Sequence, residues 1–184
     1  MKYLRFFVLI FSSHLFCIVS HAALPPLDEG EGYVIIAAYA DGYAESIVLE
    51  GEGIFNTYTF GPLNNAQLIE IKKLPAGRYQ WTEISEENGS LAKGNKLKIE
   101  YNVSDDNLSF TVKPGVINYT GLLMIEKLGS RMRVRQLNRT SIILKILEQD
   151  HGEDIQGMTI VNGLYPNDHY IEFYQAMAAE KGKQ

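Results

Sequence analysis

Three arginines occupy alternate positions in Arg131-Met132-Arg133-Val134-Arg135. In an extended chain successive side chains point to opposite faces, so Arg131, Arg133 and Arg135 share one face and Met132 and Val134 the other. Guanidinium forks offer paired N–H donors and a permanent charge, the chemistry that recognises phosphate and carboxylate groups. They are the candidate binding residues, suited to the anionic groups of an envelope polymer or a lipid headgroup. The plainer account is a wet strand face whose charges keep a foreign strand from pairing at the edge.

A second polar cluster, Asp150-His151-Gly152-Glu153-Asp154, has Asp168-His169 further along. Carboxylates and imidazoles ligate divalent metals when folding gathers them. Here the spacing fits no ligand template, and a solvated helix end followed by an acidic loop accounts for it. No metal and no other cofactor is therefore expected. Beyond residue 23 the only imidazoles are His151 and His169, and Gly-x-Ser-x-Gly, HExxH and phosphate-cradling glycine loops do not occur. The expectation is a non-catalytic protein, with a hydrolase near Asp150, His151 and Asp154 as an alternative.

Aromatic usage suggests a third chemistry. Ten of the eleven tyrosines lie beyond residue 22, whereas Phe6, Phe7, Phe11 and Phe16, half of the eight phenylalanines, lie before it. Exposed tyrosines can stack on sugar rings. Tyr33, Tyr39, Tyr79 and Tyr101 fall at core-like strand positions, while Tyr43, Tyr165 and Tyr170 are freer. A glycan- or anion-binding module using these tyrosines and the arginine stripe is the companion alternative. Asn-x-Ser/Thr triplets begin at Asn88, Asn102, Asn107, Asn118 and Asn138, acceptors for glycosylation in a eukaryotic secretory pathway.

What must position these residues starts with the compartment. Lys2 and Arg5, an interrupted apolar run to Val19, and Ser20-His21-Ala22 have the layout of a signal peptide over residues 1–22, cleaved after Ala22 or Ala23. The apolar run is too short to span a bilayer as a helix, so a membrane is involved only before cleavage and the product is periplasmic or secreted. Phe16 before Cys17 does not suit lipoprotein processing. Cys17 leaves with the signal, and the mature chain has no thiol for a disulfide, for catalysis or for zinc. Loss of Lys2 and Arg5 takes the formal charge from −5 to −7, which disfavours nucleic acid as a partner. Roughly 160 residues remain, enough for one ordinary core. The expected partner is an envelope or extracellular protein or polysaccharide.

Residues 24–32 form a Pro/Gly/acidic leader, expected to be mobile. Tyr33 to Ala40 is apolar on both faces, as in a strand covered on both sides; Asp41-Gly42 signals a hairpin, with Tyr43 to Leu49 returning. Ile54 to Phe60 and Ala66 to Leu74 are further strands. Residues 85–96, polar and glycine-containing, are expected to be the longest loop. Residues 97–103 alternate cleanly, as do 108–112. Leu74-Pro75-Ala76-Gly77 suits a type I turn and Lys113-Pro114-Gly115-Val116 a type II turn, each left through a tyrosine whose ring is buried and whose hydroxyl reaches the wet edge.

Thr140-Ser141 can cap a helix that Gly152 closes, with a strand over 141–147 as the alternative because isoleucine favours extended chain. A terminal helix runs over about 168–180, capped by Asn167 or Asp168, with Tyr170, Tyr174, Met177 and Ala178 in one stripe expected to pack on the sandwich. The fold class is mainly β: an antiparallel β-sandwich of about seven to nine strands over 33–136, with one or two C-terminal helices in a segment, 137–184, packed upon it.

Leu74-Pro75-Ala76-Gly77-Arg78-Tyr79-Gln80-Trp81 and Phe110 to Gly121, downstream of an apolar strand and an Asp-Gly turn, resemble the prealbumin-like (transthyretin-like) β-sandwich domains of bacterial exported proteins. The likeness covers about residues 33–126. It implies a sandwich of seven or eight strands serving as an accessory or surface module without enzymatic activity, and it assigns no functional residues.

Overall fold

The structure is a computed structural model describing residues 24–53, 56–90, 96–129, 131–165 and 167–181, so the expected signal segment and Ile54 lie outside the described residues. The chain is mainly β with two helices near its C-terminus. In order it forms β1 (Glu31–Asp41), β2 (Tyr43–Ala44), β3 (Ser46–Gly51), β4 (Thr57–Phe60), β5 (Leu63–Asn64), β6 (Gln67–Pro75), β7 (Gly77–Ser90), β8 (Lys96–Asn102), β9 (Ser109–Val112), β10 (Ile117–Leu128), β11 (Arg131–Leu137), α1 (Thr140–Ile155), β12 (Ile160–Asn162) and α2 (Tyr170–Lys181). The described strands outnumber the expected seven to nine because β2, β5 and β12 are short pieces that periodicity over two or three residues cannot mark.

Two sheets face each other. One runs β11-β10-β1-β6, with β12 continuing the β11 edge; the other runs β4-β3-β7-β8, with β9 continuing the β8 edge. Between them lie Val34, Ile36, Ala38, Leu123 and Ile125 from the first sheet and Ile47, Leu49, Tyr79, Trp81, Ile84 and Phe110 from the second. Trp81 meets Phe60 edge-on at 5.8 Å, and Tyr79 stacks on Phe110 at 5.9 Å. The opposite face of the first sheet, Tyr33, Ile35, Ala37, Ile117 and Tyr119, is covered by Ile143, Leu144 and Leu147 of α1 and Ile171 of α2. That second cover explains why β1 and β10 are apolar on both sides: they are the middle layer.

Burial on both faces also decides topology. Asp41-Gly42 does not fold β3 back on β1, as the hairpin signal suggested. The neighbours of β1 are β6, antiparallel, and β10, parallel, and β3 crosses to the other sheet. A strand with two apolar faces belongs in the centre of a sheet, and its partners come from wherever the chain supplies comparable strands. Both Pro-Gly corners likewise change sheets, β6 to β7 and β9 to β10. Gly115 has φ +73°, the left-handed conformation that the third position of a type II turn requires.

Residues 85–90, expected within a loop, instead extend β7 and pair with β8, Glu86 opposite Ile99 and Glu87 opposite Lys98. Ser85 and Glu86 are buried: the Ser85 hydroxyl meets Ser46 Oγ at 2.6 Å, and the Glu86 carboxylate meets Lys127 Nζ of β10 at 2.7 Å. Polarity resembled a loop there because the pattern carries no apolar alternation, yet Ser85 finds its partner on the neighbouring strand β3 and Glu86 finds one on β10 of the facing sheet.

The leader lies along the helix-covered face. Leu24 and Leu27 pack there, Tyr33 donates its hydroxyl proton to the Pro25 carbonyl, and Lys73 bridges Asp28 at 3.0 Å and Glu31 at 2.9 Å.

Candidate functional site

The arginine stripe lies on β11, an edge strand, with Met132 and Val134 turned inward against the core as alternation requires. Its three members are not equivalent. The register sets Glu126 opposite Arg133 and Met124 opposite Arg135. Glu126 accepts from Arg133 Nε at 2.9 Å and from a second Arg133 nitrogen at 3.2 Å, and from Arg135 at 2.8 Å. The two guanidinium groups, Arg133 first, hold the Glu126 carboxyl below its usual range against the opposing effect of burial. Arg131 stands opposite Leu128, both exposed. One carboxylate thus neutralises part of the stripe, and an anion engaging Arg133 or Arg135 must compete with an internal bidentate partner.

Arg135 also borders a second feature. Where β9, β11 and the loop after β12 come together, a cleft of about 670 Å³ is lined by Asp105, Asn107, Ser109, Arg135, Gln136 and Tyr165, among others. It adjoins a shallower concavity of about 430 Å³ between Asn138, Asn167 and Asp168, and Leu164 and Tyr165 border both. Tyr165 is 45% exposed.

Local chemistry explains why the loop sits there. Gly121 makes a bulge in β10 at φ +84°, and a Cβ on it would stand 2.9 Å from Leu164 Cδ2 and 3.1 Å from Gln136 Cγ. Gly163 approaches the Thr111 carbonyl so closely that a Cβ would stand 2.9 Å from it, while its N–H donates to the Tyr119 carbonyl at 2.8 Å. Asn162 then accepts from the N–H groups of Leu164 and Tyr165 at 3.1 and 2.8 Å, turning the chain so that the ring faces outward.

Asp168 fastens the far side. Its carboxylate accepts the Tyr170 N–H at 3.0 Å, the Asn138 amide at 2.7 Å and the Asn162 amide at 3.3 Å. The Tyr170 amide and then Asn138 hold its carboxyl below the usual range. On the near side Asp105 Oδ1 accepts from the backbone and side chain of Asn107, each at 2.9 Å. Gln136 gives its amide to the Thr120 carbonyl, and its Oε1 is buried without a hydrogen-bond partner.

The cleft therefore offers a tyrosine ring beside an apolar Leu164 floor, with carboxylate and amide groups at its rim. That mixture suits a ligand with both hydroxyl groups and C–H faces. The arginines alone pointed to anions; Tyr165 was legible as a free tyrosine, but Asp105, Asn107, Gln136 and Asn138 reach the site through folding, and nothing in the sequence marked them as binding residues.

The acidic cluster remains local. His151 Nδ1 stands 3.5 Å from Asp154 at a kink in α1, where His151 leaves helical geometry at φ −135°, and His169 Nδ1 stands 3.1 Å from Glu172. Among the described residues no three His, Cys, Asp or Glu side chains gather in a way that could hold a metal ion. The expected stripe on α2 also divides. Tyr174 turns toward α1, its hydroxyl on Glu148, while Tyr170 and Met177 are exposed beside Phe173 at 60%. Among the described residues of this helix only Ile171 is buried in the core. No helix among the described residues is long and apolar enough to cross a membrane. Neither family models, curated proteins nor solved structures give a match to this chain.

Proposed function

We propose that this chain is an exported, non-catalytic β-sandwich module of the cell envelope or extracellular space that binds a saccharide segment in the cleft bordered by Tyr165. The observation that carries the saccharide reading is the convergence of the half-exposed Tyr165 ring with Asp105, Asn107, Arg135 and Asn138 around adjoining concavities. Sugar rings present C–H faces to an aromatic ring and hydroxyls to carboxylates and amides, and both kinds of group stand here within one cleft. The signal-like first 22 residues support export. The likeness of the Pro-Gly corners to prealbumin-like exported domains supports an accessory role.

Titration calorimetry against a panel of neutral and acidic oligosaccharides tests the assignment. Binding by the native protein and a loss of about fivefold in affinity for Tyr165→Ala are expected, since an aromatic contact of this kind is worth roughly 1 kcal/mol. No binding across the panel, or unchanged affinity in the variant, refutes it. A second reading, an anion site on the arginine stripe, draws on Arg131, exposed opposite Leu128. Replacing Arg131, Arg133 and Arg135 together by Gln abolishes binding to anionic polymers if that reading holds.

A further inference from the structure

β6 forms one edge of the helix-backed sheet, with β1 beside it and no strand among the described residues on its other side. Its hydrogen bonds to β1 alternate. The flanking contacts, Ala76 N–H to the Gly30 carbonyl and Ala40 N–H to the Ala66 carbonyl, fix even-numbered residues as those bonded inward. The N–H and C=O groups of Ile69, Ile71 and Lys73 therefore point outward, an open template for another strand.

The side chains on this edge specify which strand. Glu70 and Lys72 stand 3.4 Å apart, on the face that Leu68 and Leu74 turn toward the core. Opposite charges two residues apart are complementary to themselves under two-fold symmetry. In an antiparallel pair centred on Ile71, Glu70 faces Lys72 of the second copy and Lys72 faces its Glu70. Both contacts fall at non-hydrogen-bonded positions, where facing side chains come closest. Ile71 faces Ile71, and the outward backbone groups of Ile69, Ile71 and Lys73 are all satisfied. The opposite edge behaves differently: centring β11 on Arg133 sets Arg133 against Arg133 and Arg131 against Arg135, which like charges oppose. We propose that the protein forms a two-fold dimer through antiparallel pairing of its β6 edges, which joins the two helix-backed sheets into one.

Light scattering and sedimentation on protein purified after expression of the full chain test this. Twice the monomer mass is expected. Lys72→Glu, which sets carboxylate against carboxylate at both symmetry-related contacts, raises the dissociation constant about tenfold or more, and the charge exchange Glu70→Lys with Lys72→Glu restores dimerisation. Ile71→Pro removes an outward N–H while leaving the bonds to β1, and gives a monomer with an unchanged circular-dichroism spectrum. The exchange variant separates lost pairing from lost folding. A native protein that stays monomeric at its highest soluble concentration overturns the proposal. So does a dimer indifferent to Lys72→Glu, or one dissociated instead by Lys98→Glu on the β8 edge.

Discussion

Asn118 sits in a sequence triplet that marks glycosylation in some cells, yet its side chain is buried. Its Oδ1 accepts the Lys113 N–H at 2.9 Å, and its amide donates to the carbonyls of Tyr33 and Lys113, both at 3.0 Å, and of Val116 at 3.3 Å. One side chain thus ties the second Pro-Gly corner to the start of β1. The neighbouring Thr120 hydroxyl is also committed, to the Ile35 carbonyl at 3.0 Å. Other triplet asparagines do related work: Asn102 accepts the Ser104 N–H, and Asn138 accepts from Thr140 where α1 begins. This gives the abundance of the triplet a physical reason, the demand for side chains that satisfy backbone at turns and helix ends. Asn118→Ala leaves several buried backbone groups without partners and is expected to cost about 3 kcal/mol, read as a lower urea midpoint at unchanged slope. The corner tyrosines share this economy. Tyr79 returns its hydroxyl to the Pro75 carbonyl at 2.9 Å, and Tyr119 accepts the Arg139 N–H at 2.8 Å, so both hydroxyls meet backbone where the sequence suggested water.

At the scale of elements, the C-terminal segment is held by polar bonds as well as by apolar contact. Asp168 caps α2 and ties it to Asn138 and Asn162, and Asp168→Ala is expected to lower stability by about 1 kcal/mol, as loss of an N-cap does. Among the described residues three carboxyls are held below their usual range: Asp28 by Lys73, Glu126 by Arg133 and Arg135, and Asp168 by the Tyr170 amide and Asn138. Each folded value lies below the unfolded value near 4, so the stability they contribute is complete above that pH and is lost as pH falls through the folded values. Thermal melts from neutral pH down to about pH 2.5 are expected to be flat above pH 5 and to fall steeply below pH 4. Glu126→Gln flattens part of that fall; a melting temperature that does not change on acidification contradicts the account. The helix expected from Thr140 does form, but its entry is served by Asn138, since Arg139 occupies the cap position without a side-chain bond. Its expected closure at Gly152 appears one residue earlier as the kink at His151, after which it resumes to Ile155.

For the whole molecule, three layers stand in order: a sheet, a doubly covered sheet, and two helices with the leader against them. A far-UV spectrum dominated by strand with a minor helical contribution is expected. If residues 1–22 direct export, mass spectrometry of protein recovered outside the cytoplasm finds an N-terminus at Ala23 or Leu24. An N-terminus at Met1 in that fraction contradicts the signal assignment.

Alternation at residues 97–103 and 108–112, and the two apolar faces of residues 33–40, were enough to establish strands and a buried central one. A side chain's face follows from its position in an extended chain and needs no knowledge of neighbours. The same rule turned Arg131, Arg133 and Arg135 to one side of β11. Partner choice lay beyond it. Nothing local joins β1 to β10 in parallel or brings Tyr165 beside Asp105, because those pairings span long stretches of chain and are decided by which buried faces fit together. Local pattern determined the elements and their exposed chemistry; long-range burial, which the tertiary structure alone expresses, decided their neighbours and with them the cleft.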